Sequence, residues 1–180
     1  MASAASSPTD SLHLRGLTVA DVAAVLRIQA LCYGADYVEG AAVFTRRLQA
    51  PHQCSWAAEL GGQVVAYLAA YWSHPGKITP LQGEFDAQPQ ASVLYLHDMA
   101  VDPALAGQGI AARLLAAAQA QARARGVQRA ALVAVQGAAS YWQRRGFVPS
   151  QPRDTVQKAH LGSYGDDALY MELHWAPPQV

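Results

Sequence analysis

A chain of 180 residues, 52% apolar and 14% charged, is long enough for one domain with a substantial core and short for two. Its 13 basic and 13 acidic residues cancel, so it lacks the basic excess that points to a nucleic-acid or membrane-surface partner. Cys32 and Cys54 form neither a CxxC pair nor a disulfide framework, which makes a reducing, cytoplasmic setting the expectation.

Residues 1–11 read as a flexible leader, without the basic start and apolar run of a secretory signal. The longest apolar run, Val64 to Trp72, is too short to span a bilayer, which takes about 20 helical residues. Leu12-His-Leu-Arg15 alternates as a first strand. Thr18 caps a helix with Asp21 in its first turn, and Val22, Val25, Leu26 and Ala30 recur at helical spacing. A loop over 32–37 leads to a short helix over 41–48. Pro51 opens a hairpin: a strand from Cys54 to Leu60, a Gly61-Gly62 turn, and a strand from Gln63 to Trp72. The Pro/Gly-rich stretch 73–91 is long for a plain connection and reads as a binding loop or lid.

A strand over 92–101 is apolar on both faces, which predicts burial on both sides. Regular alternation puts Tyr95, His97, Met99 and Val101 on one face and Leu96, Asp98 and Ala100 on the other. Asp98 then points away from His97 unless a bulge re-aims it. The next helix begins at Gly107-Gln108-Gly109-Ile110-Ala111-Ala112 and ends at Gly126. A strand over 130–135 completes a strand–helix–strand unit, which is right-handed and parallel. A short helix over 138–144 and a last strand over 169–175, stopped by Pro177-Pro178, finish the chain; 148–168 carries no predicted element. The fold class is one mixed α/β domain spanning 12–176.

The helix start at the glycines is an anion site in waiting. Its first N–H groups lack intrahelical partners, the macrodipole adds positive potential, and Gly107 and Gly109 let the backbone approach a bulky phosphate. The run also fits the dinucleotide fingerprint G-x-G-x-x-G/A. That reading needs an acidic residue about 20 positions on, and none comes before Asp154. No Gly-Lys-Ser/Thr follows, so a nucleoside-triphosphate loop is excluded.

Ala106-Gly107-Gln108-Gly109-Ile110-Ala111 resembles the Q/R-x-x-G-x-G/A signature of the GNAT N-acetyltransferase family. Ala139-Ser-Tyr141-Trp142-Gln-Arg-Arg-Gly146-Phe147 echoes that family's A-x-x-F/Y-Y-x-x-x-G-F element. Element order over residues 12–175 is similar as well. Within the family, Tyr95-Leu-His97-Asp-Met-Ala-Val101 resembles the H-x-H-x-L-A-V strand of serotonin (arylalkylamine) N-acetyltransferases. The resemblance implies a central, mostly antiparallel sheet flanked by helices, with a parallel core that binds acetyl-CoA, and a possible homodimer. It also implies cofactor contacts from Met99, Ala100, Val101, Gly107, Gln108, Gly109, Ile110, Ala111, Ala112 and Trp142, with an oxyanion held by N–H groups around Met99 to Val101. The activity implied is direct attack of a small amine on the thioester.

An imidazole ordinarily titrates near pH 6.5, which suits His97 as the base for an incoming ammonium. Tyr95, on the same face, is a candidate catalytic neighbour. The family's usual tyrosine acid is replaced by Trp142, whose indole supplies no useful proton, so Tyr141 or water is left to protonate the thiolate. Tyr33, Tyr37, Trp72 and Phe85 lie in or beside the two candidate covering loops and suit an aromatic amine. Glu39, Glu84 and Asp86 are candidates to attract its ammonium group. Each has a plainer reading as core or loop-pinning residue. No His/Cys/acid spacing supports a metal. Two other functions stay open: acetylation of a peptide N-terminus, and a non-catalytic acyl-CoA-binding module.

Overall fold

The computed structural model describes residues 11–175. All but the last residue of the predicted leader, and the Pro177-Pro178 stop, lie outside the described residues. The elements in chain order are β1 (His13–Gly16), α1 (Val22–Cys32), α2 (Ala41–Gln49), β2 (Trp56–Leu60), β3 (Gln63–Ser73), β4 (Val93–Val101), α3 (Ile110–Ala124), β5 (Arg129–Ala134), α4 (Ala139–Gln143), β6 (Val148–Pro149), α5 (Thr155–Gly162) and β7 (Leu169–His174). Thr18 caps a 3-10 turn that runs into α1, with Asp21 completing a reciprocal capping box.

Seven strands form one sheet in the order β1-β2-β3-β4-β5-β7-β6. The pairing is antiparallel throughout except between β4 and β5, which run parallel across the α3 crossover. This is the mixed α/β architecture the alternation predicts. Strands β3 and β4 form its centre, and β3 is buried along all but its first residue.

Each face of the sheet has its own core. On one face α3 and α4 cover Leu68, Leu94, Leu96 and Leu132 with Leu114, Ala118 and Trp142. On the other, α1 and α2 cover Tyr67, Tyr71 and Tyr95 with Val25, Ile28 and Phe44. The period-2 alternation of β3 sends Tyr71 to the second core and Trp72 to the first.

Two elements went unpredicted. Helix α5 starts at Asp154, whose carboxylate accepts from the Gln157 N–H at 2.9 Å. Its signal, an N-cap acid with glutamine three residues on, was present in the sequence. Strand β6 is only two residues long, too short for any alternation.

Candidate active site

The site is built on an irregularity in β4. Ala69 of β3 pairs with Asp98 and Ala70 with Leu96, so His97 is an extra residue in the ladder. The extra residue shifts the alternation by one. His97 therefore lies with Tyr95 (ring centroids 6.5 Å apart) and Phe85 (5.4 Å, edge to face), and Asp98 lies on that same face. Tyr33 Oη donates to Asp98 at 2.6 Å, and the Tyr67 hydroxyl donates to its other oxygen. Met99 packs with the opposite core. Two expectations are corrected here: Asp98 does not point away from His97, and Met99 does not share its face.

Past the bulge, the N–H of Asp102 donates to Val65 on β3. By alternation Ala100 faces β3, while the backbone groups of Met99 and Val101 face away from it. The Val101 carbonyl accepts from Cys32 Sγ at 3.2 Å, and the Met99 carbonyl lies 3.0 Å from Tyr33 Oη, whose single hydrogen Asp98 takes at the shorter distance. Strand β5 is not paired there, because its ladder with β4 stops at Leu96–Leu132.

Where the two strands part, a cleft of about 380 Å³ passes between the two cores. Tyr33, Tyr37, Glu39, Leu81 and Tyr164 line it on the α1/α2 side; Ala111, Ala138, Tyr141 and Trp142 line it on the α3/α4 side. His97, Asp98 and Met99 form the wall between them.

Among the residues read from sequence, Tyr33, Tyr37, His97, Met99, Ala111, Tyr141 and Trp142 come together at the cleft. Tyr95 and Phe85 stand behind His97, and Ala100 is buried in the core. Trp72 does not join them. It is buried in the core on the other face, with Arg125 4.8 Å from its ring centroid, because strand alternation turns it away. Glu84 and Asp86 pair with Arg46 and Lys77 at the surface. Leu81, Val133, Val135, Gln136 and Tyr164 were not foreseen as lining. Val133 and Val135 come from β5 and its end, beyond the point where it parts from β4; Leu81, Gln136 and Tyr164 come from connections whose paths no sequence periodicity encodes.

Glu39 is the most heavily bonded of these groups. Its carboxylate accepts from Arg47 at 2.5 and 2.6 Å, from the Gln82 N–H at 2.7 Å, and faces His97 Nε2 at 2.9 Å. Burial works against its ionisation, but the neighbouring His97 and Arg47 outweigh that and hold its pKa far below the ordinary glutamate range. Burial has the opposite outcome at Asp98. There it outweighs the two tyrosine hydroxyls and raises the carboxyl pKa.

Gly107 and Gly109 adopt φ of 79° and 75°, the left-handed region that glycine enters freely. Among the described residues, no acceptor meets the N–H groups of Gly109, Ile110, Ala111 or Ala112 at the start of α3. That row of free donors fits a pyrophosphate. Tyr141 Oη is buried without a partner among the described residues, and Arg145 lies over its ring at 3.4 Å. Trp142 packs edge to face on Tyr141 and Phe147, where it is wall and not donor.

A family model described as acetyltransferase (GNAT) family matches residues 22–147. The chain belongs to the GNAT acetyltransferase family. No curated protein sequence matches it. Its fold is similar to that of the loading GNATL domain of CurA from Lyngbya majuscula, with a TM-score of 0.71, 15% identity, and 92% and 98% of the two chains covered. It is also similar to the ribosomal-protein-S18-alanine N-acetyltransferase from Escherichia coli, with a TM-score of 0.68, 17% identity and coverage of 94% and 99%. A GNAT family acetyltransferase from Brucella melitensis, solved with acetyl-CoA, aligns with a TM-score of 0.58, 21% identity and coverage of 95% and 92%. At these identities the likeness is one of fold. Among the described residues no helix is long and apolar enough to cross a membrane.

Proposed function

We propose that this GNAT protein transfers an acetyl group from acetyl-CoA to a small primary amine, with arylalkylamines the best-suited class. The observation that carries the reading is His97, set by a bulge into the wall of a cleft that passes through the sheet beside the free helix-start donors. The thioester supplies an electrophilic carbonyl, and the amine nitrogen forms the new C–N bond as the C–S bond breaks. His97 accepts the ammonium proton, so the nitrogen lone pair is free to attack. The Met99 and Val101 N–H groups, on the open side of β4, are the oxyanion donors. Tyr141 Oη or water gives a proton to the leaving thiolate, and the second proton, shed by the nitrogen once the C–N bond has formed, replaces it. The free N–H groups from Gly109 to Ala112 hold the pyrophosphate.

The acceptor half of the cleft is tyrosine-lined, and among the described residues no Lys or Arg lines it. That suits an aromatic ring carrying an ammonium and does not favour a substrate carboxylate. The 74–92 connection closes this half by bonding to Glu39 and Arg47, which favours a small acceptor over a peptide laid in an open groove.

The test is thiol release from acetyl-CoA with arylalkylamines, polyamines, amino acids and short peptides as acceptors. We expect turnover selective for arylalkylamines, reduced at least 10²-fold by His97→Ala. Turnover on peptides alone would overturn the substrate reading. Turnover untouched by His97→Ala would overturn the base.

A further inference from the structure

The ion pair beside His97 has more structure than a core salt bridge needs. Arg47 is fully buried and Glu39 is 2% exposed. Gln29, also fully buried, bonds both the N–H (3.1 Å) and the carbonyl (3.2 Å) of Glu39, fixing its backbone from α1. Arg47 reaches from α2, grips the carboxylate with two nitrogens, and uses Nε and Nη2 on the Gly83 carbonyl at 2.8 and 2.6 Å. Its guanidinium lies 5.0 Å from the centroid of Phe85, the ring that backs His97. Four donors thus saturate the carboxylate, and the fourth is His97 Nε2.

A carboxylate only accepts, so the nitrogen facing Glu39 must carry hydrogen. A neutral His97 in this setting is the Nε2–H tautomer, with its lone pair on Nδ1. Nδ1 is buried and has no partner among the described residues. Packing alone does not account for this, because a buried acceptor left unpaired costs stability. Here one nitrogen is held firmly and the other is buried without a partner among the described residues.

We infer that Glu39 and Arg47 are positioning residues for the transfer: Arg47 aims the Glu39 carboxylate, which locks the His97 tautomer and leaves Nδ1 to take the amine proton. This rests on the proposed role of His97 as base. Nδ1 is buried, so a small shift of the ring or its neighbours must admit one water that carries the proton from the ammonium nitrogen to it, and the resulting imidazolium stays paired to Glu39. Because the Arg47 and Glu39 charges cancel, the pair orients the ring without placing a net charge against it.

The experiment combines nitrogen-15 NMR of the histidine ring at pH 8 with kinetics of Glu39→Gln, Glu39→Asp, His97→Ala and the Glu39→Gln/His97→Ala double variant. Glu39→Asp keeps a charge for Arg47 while drawing back from Nε2, which guards against misfolding of the glutamine variant. For the His97 ring, identified by its loss in His97→Ala, we expect the Nε2–H tautomer in the natural protein, and its loss in both Glu39 variants without ligand present. We further expect kcat to fall about 10²-fold in Glu39→Gln, with the KM for acetyl-CoA within twofold. The double variant should be no slower than His97→Ala alone, since Glu39 acts through the ring. An unchanged tautomer in both variants, or losses that multiply in the double variant, would overturn the positioning role and leave His97 as base. Full activity in His97→Ala would overturn the base assignment and this inference together.

Discussion

At the scale of single residues, the Glu39 carboxylate links stability to pH in a direction that can be worked out. Its folded pKa is depressed, whereas an unfolded glutamate titrates near 4.5. The stabilisation is therefore complete above about pH 4.5 and drains away as pH falls toward the folded value. Glu39→Gln cannot titrate there and leaves Arg47 buried without a counter-charge, a loss of about 3–5 kcal/mol at neutral pH. In urea unfolding from pH 7 to pH 3, the gap between natural protein and variant should be widest at pH 7. It should narrow in acid, because the unfolded chain takes up a proton near pH 4.5 that folded Glu39 still refuses. Curves that stay parallel would mean the pair contributes nothing that depends on the charge of Glu39. Asp98 carries the opposite sign. Its raised pKa gains stability for the fold on acidification and offsets part of the Glu39 loss.

At the scale of elements, the loop into α3 tests whether local backbone shape serves ligand binding. Gly109 is the N-cap of α3 at φ 75°, and an added Cβ there would meet nothing within 4 Å. Gly109→Ala thus collides with no protein atom, and its stability cost is one of backbone conformation alone. It should cost about 1–2 kcal/mol for an L-residue in the left-handed region. If the row of N–H groups behind it holds the pyrophosphate, the KM for acetyl-CoA should rise while kcat at saturation holds. A stability loss with an unchanged KM would move the phosphates elsewhere. This loop was legible in the sequence because glycine spacing is a local signal, and so were α1, α3 and the β2–β3 hairpin, each written in its own periodicity. The bulge at His97 was not, since an extra residue in β4 exists only relative to its partner on β3. The Glu39–Arg47–His97 contacts were illegible for the same reason: they join α1, α2, β4 and the 74–92 connection across as many as 58 positions in sequence. Helix α5 differs from these cases, because its Asp154 cap was there to be read.

At the scale of the molecule, the cleft follows from a sheet that cannot stay paired along its whole length. Strands β3 and β4 pair from one end to the other, whereas β4 and β5 share only Leu94–Ala130, Tyr95–Ala131 and Leu96–Leu132 before they part. Each face carries its own core, so the parting opens a passage between two independently packed layers rather than a hole in one. A ligand seated there bridges both layers and should stabilise the whole fold. At a concentration of 100 times its Kd, acetyl-CoA would add about 2.7 kcal/mol. For a domain of this size that is a rise in Tm of roughly 5–10 °C. His97→Ala should keep the full rise, because His97 is assigned to proton transfer and not to holding the nucleotide. Gly109→Ala should show less of it at the same concentration. Thermal unfolding of the three proteins with and without acetyl-CoA reads this directly. If His97→Ala loses the rise and Gly109→Ala retains it, β4 holds the nucleotide and the α3 loop does not.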